Sequence, residues 1–141
     1  MSATDRETAI GPPPVSILSQ SAYLIVSIHA ALDDTQLMRL QEDLLEHLER
    51  RRGRGIVIDV GALDVLDSFA TRTLTQLARA ARLKGAETVV VGISPEVAVA
   101  MVQLSLRMEN VRTALDLEEA LELLEGLTGA GPAPGRRSDL G

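Results

Sequence analysis

The chain has 141 residues with 14 Lys plus Arg against 20 Asp plus Glu, a formal charge of −6, and its length allows one domain rather than two. Apolar residues make up 45%, yet Phe69 and Tyr23 are the sole aromatics and cysteine is absent, so the core is aliphatic and disulfides, thiolate zinc sites and thiol nucleophiles are excluded. An acidic chain this poor in rings lacks both the positive field and the stacking surfaces that nucleic-acid binders use, and no such partner is expected.

Residues 1–14 are polar, carry early acids and end in Pro12-Pro13-Pro14. They read as a flexible leader and not as a signal peptide, which needs a charged segment followed by an apolar run. Val15–Ser19 and Tyr23–His29 are β-branched-rich runs separated by Gln20-Ser21-Ala22, and so short a turn forces two strands to lie antiparallel. From Asp33 the period lengthens. Leu37, Leu40, Leu44 and Leu48 fall on one stripe of an amphipathic helix, with Asp33 as N-cap and Gln36 three residues on. Its end is expected at Arg50-Arg51-Arg52-Gly53-Arg54-Gly55, where cations suit the carbonyl end of the dipole and glycine suits a left-handed cap. These arginines are read as a helix terminus before a ligand site.

Gly55–Val60 is almost continuously apolar, the pattern of a central parallel strand covered on both faces. A loop holding Gly61, Asp64 and Asp67 then leads into a second helix from about Ser68, marked by Ala70, Leu74, Leu77, Ala78 and Ala81 and stopped by Gly85. Thr88–Ile93 is a further buried-type strand, and Ser94-Pro95 supplies an N-cap followed by proline at the first helical position. The third helix is predicted to reach about Met108 with Ala98, Met101, Val102 and Ser105 toward the sheet. From Val97 to Leu106 it has no charge, so its remaining apolar surface is either covered by a fourth helix or offered to another protein. That segment is about half of the roughly 20 residues that span a bilayer, and the chain is expected to be cytoplasmic with no membrane partner.

Val111–Leu115 reads as a last short strand, and Asp116 with Glu119 as a capping box opening a fourth helix with Leu117, Ala120, Leu121 and Leu124 inward. The order is β-β-α-β-α-β-α-β-α, an α/β fold with a mixed, mostly parallel sheet of about five strands and four helices. The globular part is expected over 15–126. Residues 127–141 are rich in glycine and proline and read as a disordered tail.

Catalytic equipment is sparse. His29 and His47 lack the spacing of a metal pair. Lys84 is the one lysine, and no glycine-rich phosphate cradle accompanies it. Asp33, Asp34, Asp59, Asp64 and Asp67 lie at or beyond the C-terminal ends of predicted strands, where ligands collect in open α/β sheets. Such a set invites comparison with a magnesium-dependent receiver domain. Receivers alternate strand and helix from the start and carry a late lysine, so cap and turn roles are the simpler reading. No cofactor, no metal and no enzymatic activity are expected.

The informative segment is Val65-Leu66-Asp67-Ser68-Phe69-Ala70-Thr71-Arg72, a loop running straight into a helix. Asp67 or Ser68 can serve as N-cap. The same place suits a phosphate, because free amides and the positive dipole end accept an anion there. A phosphoserine adds roughly −1.5 to −2 charges beside Asp64 and Asp67, enough to break a flush contact with a partner. Phe69 is either a core anchor or part of an exposed docking patch.

Ile58-Asp59-Val60, Asp67-Ser68-Phe69 and Val89-Val90-Val91-Gly92-Ile93-Ser94-Pro95-Glu96, together with the strand order, resemble the STAS family, the domain of bacterial anti-sigma factor antagonists. The resemblance covers about 15–126. Arg72 and Leu74 after the serine motif, Pro95-Glu96-Val97-Ala98 and Thr113-Ala114-Leu115-Asp116-Leu117-Glu118 look most like the small stressosome subunits of the RsbS type. The resemblance implies that Ser68 is a phospho-acceptor for an RsbT-like serine kinase, with Asp64, Asp67, Phe69 and Arg72 on the partner-binding surface around it. It further implies co-assembly with RsbR-like subunits, release of the kinase on phosphorylation, and an RsbX-like phosphatase. RsbR-like subunits carry an added N-terminal sensory domain that 14 leader residues do not supply. The family usually has glycine two residues after the phenylalanine, where this chain has Thr71, a β-branched residue that crowds the first turn or offers a second phosphorylation site. The alternative is a free anti-sigma factor antagonist, also controlled at Ser68.

Overall fold

A computed structural model of the chain describes residues 14–103 and 107–129. The β-branched runs form strands where expected. β1 (Val15–Gln20) and β2 (Tyr23–Ile28) pair antiparallel around a turn in which Ser21 takes the left-handed φ of 55°. Three parallel pairings follow, of β2 with β3 (Gly55–Asp59), β3 with β4 (Glu87–Val91) and β4 with β5 (Val111–Ala114). The sheet order is therefore β1-β2-β3-β4-β5, with β3 central and buried through Gly55–Ile58, as its unbroken apolar run requires.

The crossovers are α1 (Asp34–Arg51), α2 (Ser68–Leu83) and α3 (Pro95–Gln103), and α4 (Leu117–Thr128) closes the fold. Right-handed crossovers that always step the same way along a sheet put their helices on one face. One core accordingly joins Leu40, Leu44 and Leu48 of α1, Leu74 and Leu77 of α2, and Val97 and Met101 of α3 to Val26, Ile56, Ile58 and Val90 of the sheet. The opposite face buries Tyr23, Ile25, Val57, Val89 and Val91 against Ala120 and Leu124 of α4.

Several expectations are corrected. The left-handed cap of α1 is Arg52, at φ 52° and ψ 47°, and not the following glycine. α3 ends at Gln103 among the described residues, and Met108 is not helical. Its buried pair is Val97 and Met101, whereas Val99 and Val102 are 56% and 77% exposed. Ala98 is exposed as well, and Ser105 lies outside the described residues. α4 buries Ala120 and Leu124, keeps Leu121 half-buried, and exposes Leu117 at the rim. It continues through Thr128 to a left-handed Gly129, two residues into the stretch expected as tail. The rest of that stretch, and the expected leader apart from Pro14, lie outside the described residues.

Candidate functional site

Three loops gather at the C-terminal edge of the parallel strands: β2–α1, β3–α2 and β4–α3. Each is pinned by a side chain that accepts backbone hydrogen bonds. Asp33 accepts from the Gln36 amide at 2.7 Å while the Gln36 side chain accepts from the Asp33 amide at 2.9 Å, a complete capping box. Ser94 Oγ accepts from the Val97 amide at 3.2 Å at the start of α3. Asp59, exposed at the end of β3, accepts from the Gly61 amide at 2.8 Å and so turns the chain out of the sheet. Past the end of β5, at the same C-terminal edge, Asp116 accepts from the Glu119 amide at 2.9 Å, but the Glu119 carboxylate accepts from Leu115 at 2.7 Å, one residue earlier than a standard box. Asp33, Asp59 and Asp116 thus serve caps and turns, and no group of three metal-ligating side chains forms among the described residues.

The β3–α2 loop carries the serine motif. Asp67 is the N-cap of α2, with extended backbone (φ −81°, ψ −179°) and its Oδ1 accepting from the Ala70 amide at 2.8 Å. Ser68 is consequently the first helical residue, exposed, and its hydroxyl has no capping duty. At this position the Ser68 and Phe69 amides have no acceptor within the helix, and the positive end of the α2 dipole lies here. α2 has no acidic residue in its first turn, so the charge opposing an anion is that of Asp67 and Asp64, both exposed. Arg72 follows Ser68 by four residues, on the same helical face. It too is exposed and enters none of the ion pairs formed among the described residues.

Apolar side chains also flank Ser68. Val65 is 69% exposed, Phe69 is half-buried and belongs to neither core, and Leu66 anchors the loop at 5% exposure. A small cleft between this loop and the β2–α1 loop is lined by Leu32, Leu63, Val65, Asp67 and Ala70. Phe69 thus joins neither core cluster among the described residues, and Phe69 and the more exposed Val65 lie one and three residues from the serine.

Thr71 stands apart from the other site residues. It is 2% exposed and its Oγ1 has no hydrogen-bond partner among the described residues. Thr71 is thus buried in the folded helix, unlike the exposed Ser68. His29 bonds Ser16 Oγ at 2.8 Å, whereas His47, half-buried on α1, has a buried Nδ1 without a hydrogen-bond partner among the described residues. Among the described residues no helix is long and apolar enough to cross a membrane.

The STAS domain model matches residues 15–120. Among solved structures, a serine-to-glutamate variant of Moorella thermoacetica RsbS is similar at 36% identity with a TM-score of 0.69, covering 82% of this chain and 97% of that one. A chain of the stressosome, described as a signal integration and transduction hub, is similar at 34% identity and a TM-score of 0.63, covering 79% of this chain and 97% of that one. The RsbT co-antagonist protein RsbRA of Bacillus subtilis is 26% identical over 98 residues, which are 70% of this chain but 36% of RsbRA. The chain thus spans little more than a third of the length of such curated relatives. The matched segment takes in all five strands and the serine-bearing start of α2, and the chain belongs to the STAS-domain family.

Proposed function

We propose that the protein is a phosphorylatable, non-enzymatic scaffold and antagonist in a bacterial stress-signalling partner switch, working in the cytoplasm. In this reading the unmodified chain co-assembles with RsbR-like subunits into a stressosome and holds an RsbT-like serine kinase. The kinase transfers the terminal phosphoryl group of ATP to Ser68 Oγ, ADP leaves, and the hydroxyl proton passes to solvent. An RsbX-like phosphatase restores the hydroxyl with water. The likeness to RsbS and to a stressosome chain supports the assembly, and the family resemblance of Asp67-Ser68-Phe69 supports the acceptor.

The observation that carries the reading is the division of labour between Asp67 and Ser68. Because Asp67 does the capping, Ser68 Oγ can gain or lose a phosphate without the helix losing its N-cap, and the dianion sits on the positive end of α2. What changes is the surface. A flush apolar contact on Val65 and Phe69 acquires a strongly hydrated charge next to Asp67, and a partner seated there is expelled by desolvation and like-charge repulsion.

The test is incubation of the chain with an RsbT-like kinase and ATP, followed by mapping of the phosphate by mass spectrometry and size-exclusion chromatography with an RsbR-like partner. Label on Ser68, its loss in Ser68→Ala and co-elution in a very large complex are expected. Label confined to other residues contradicts the acceptor assignment. Elution as small free species with the partner present contradicts the scaffold role and favours a free antagonist.

A further inference from the structure

The cations of α2 differ in their company. Arg79 pairs with Glu109 at 3.6 Å, Arg82 with Glu87 at 3.7 Å, and Lys84, just past the helix end, with Glu49 at 3.3 Å. Arg72 is exposed and has no such carboxylate among the described residues. Its helical neighbours explain why. The side chains within reach along α2 are those three and four residues away, here Ser68, Phe69, Thr75 and Gln76, and none is charged; the whole helix holds no Asp or Glu. The edge around it is acidic all the same. Asp33 and Asp34 open α1, Asp59 ends β3, Asp64 and Asp67 lie on the β3–α2 loop, and Glu96 stands in the first turn of α3. Asp33, Asp59 and Asp67 already accept backbone amides, and His29, exposed at the end of β2, is bonded to Ser16 Oγ.

The one position on the helix from which an anion can reach Arg72 is therefore Ser68. Helical side chains lean toward the N-terminus, which sets Arg72 back over the residue one turn earlier, with the two Cβ atoms about 5–6 Å apart. An anion placed N-terminal to a cation at this spacing is the favourable order, because it agrees with the helix dipole. A phosphate on Ser68 Oγ carries three acceptor oxygens, and a guanidinium fork holds two of them at once. While Ser68 is bare, the guanidinium faces solvent or a partner.

Resting on the reading of Ser68 as the acceptor, we propose that Arg72 is the charge on which the switch turns. Phosphoserine at position 68 captures its guanidinium in a pair within α2, and the cation that the unmodified face offers to a carboxylate of the bound kinase is withdrawn. One modification thus changes the contact twice, by adding an anion and by cancelling the helix's unpaired cation. Arg72 takes no part in the phosphoryl transfer itself.

The test has two arms. In the first, phosphoserine is installed at position 68 during translation, so that no kinase is needed, and the second ionisation of its phosphate is followed by phosphorus NMR. A captured dianion ionises at lower pH, so Arg72→Gln is expected to raise the midpoint by about 0.3–0.5 pH units. Arg72→Lys is expected to keep most of the lowering as a point charge, and about 1 M salt to erase the difference between parent and Arg72→Gln. His29 and the surrounding carboxylates are common to all three forms and cancel in the comparison. In the second arm, an RsbT-like kinase is titrated calorimetrically against bare and phosphorylated forms of the parent and of Arg72→Gln, with circular dichroism confirming that each is folded. With Ser68 bare, Arg72→Gln is expected to bind about threefold more weakly, and phosphorylation is expected to cost it at least about threefold less than it costs the parent. Equal midpoints in parent and Arg72→Gln overturn the capture. An equal cost of phosphorylation in both overturns the claim that Arg72 is the charge withdrawn from the kinase. A kinase that does not bind the parent overturns the proposed function and the kinase's share in this proposal together, and the titration made without a kinase distinguishes the two failures.

Discussion

Gly61 and Gly92 back onto each other where the β3–α2 and β4–α3 loops cross: a Cβ placed on Gly92 would stand 2.9 Å from the Gly61 Cα and amide nitrogen and 2.9 Å from Asp59 Oδ1. Gly92 also has φ +85°, a conformation that penalises any side chain. The loop that presents Ser68 is therefore braced from behind by the turn that starts α3. Gly92→Ala is expected to cost about 1–3 kcal/mol from the strained backbone, with more from the contact, read as a lowered melting temperature. Gly126→Ala, where a Cβ would meet nothing within 4 Å, is expected to cost nothing or to stabilise the helix slightly.

Removing the N-cap separates stability from charge. Asp67→Ala is expected to destabilise by about 1 kcal/mol, while Asp67→Asn, which still offers an oxygen to the Ala70 amide, should stay within a few tenths of the parent. Denaturant unfolding of both variants checks this. Equal losses would mean that the charge of Asp67, and not its hydrogen bond, holds the start of α2.

The apolar rim should matter for partners more than for folding. Val65→Ser changes a side chain that is 69% exposed, so its effect on unfolding is expected within about 0.5 kcal/mol. If Val65 and Phe69 seat the kinase, the same change weakens binding by about 1 kcal/mol or more, and Phe69→Ala by about 2 kcal/mol or more. Calorimetric titration against the kinase measures both.

The two faces of the sheet make separate contributions. Leu44 and Leu124 are each fully buried, on opposite sides, and each truncation to alanine is expected to cost about 2–5 kcal/mol. Their effects should add within about 0.5 kcal/mol in the double variant because a sheet separates them. Equilibrium unfolding of the three variants tests this.

Where the sequence carried one clear period, the structure follows it. The Leu37, Leu40, Leu44 and Leu48 stripe is the buried face of α1, and the unbroken run of β3 is the sheet centre. The phase of α3 is not legible in the sequence, because a run with no charge offers no polar face to set it, and its buried residues are Val97 and Met101. The left-handed Arg52 was hidden by the glycine beside it. Burial of Thr71 is legible in the sequence, since it lies three residues before Leu74 and seven before Ala78, on the same stripe. Whether Asp67 or Ser68 caps α2 could not be read from residue types, as both are good caps, and the geometry assigns the role to Asp67.

The effect of a phosphate at Ser68 on a bound partner is measured most directly as the affinity of an RsbT-like kinase for three forms of the chain. These are the unmodified protein, the protein stoichiometrically phosphorylated on Ser68, and Ser68→Ala. The account predicts that Ser68→Ala binds as the unmodified chain does, while phosphorylation weakens binding at least about tenfold, or about 1.4 kcal/mol. Equal affinities across the three forms would contradict it.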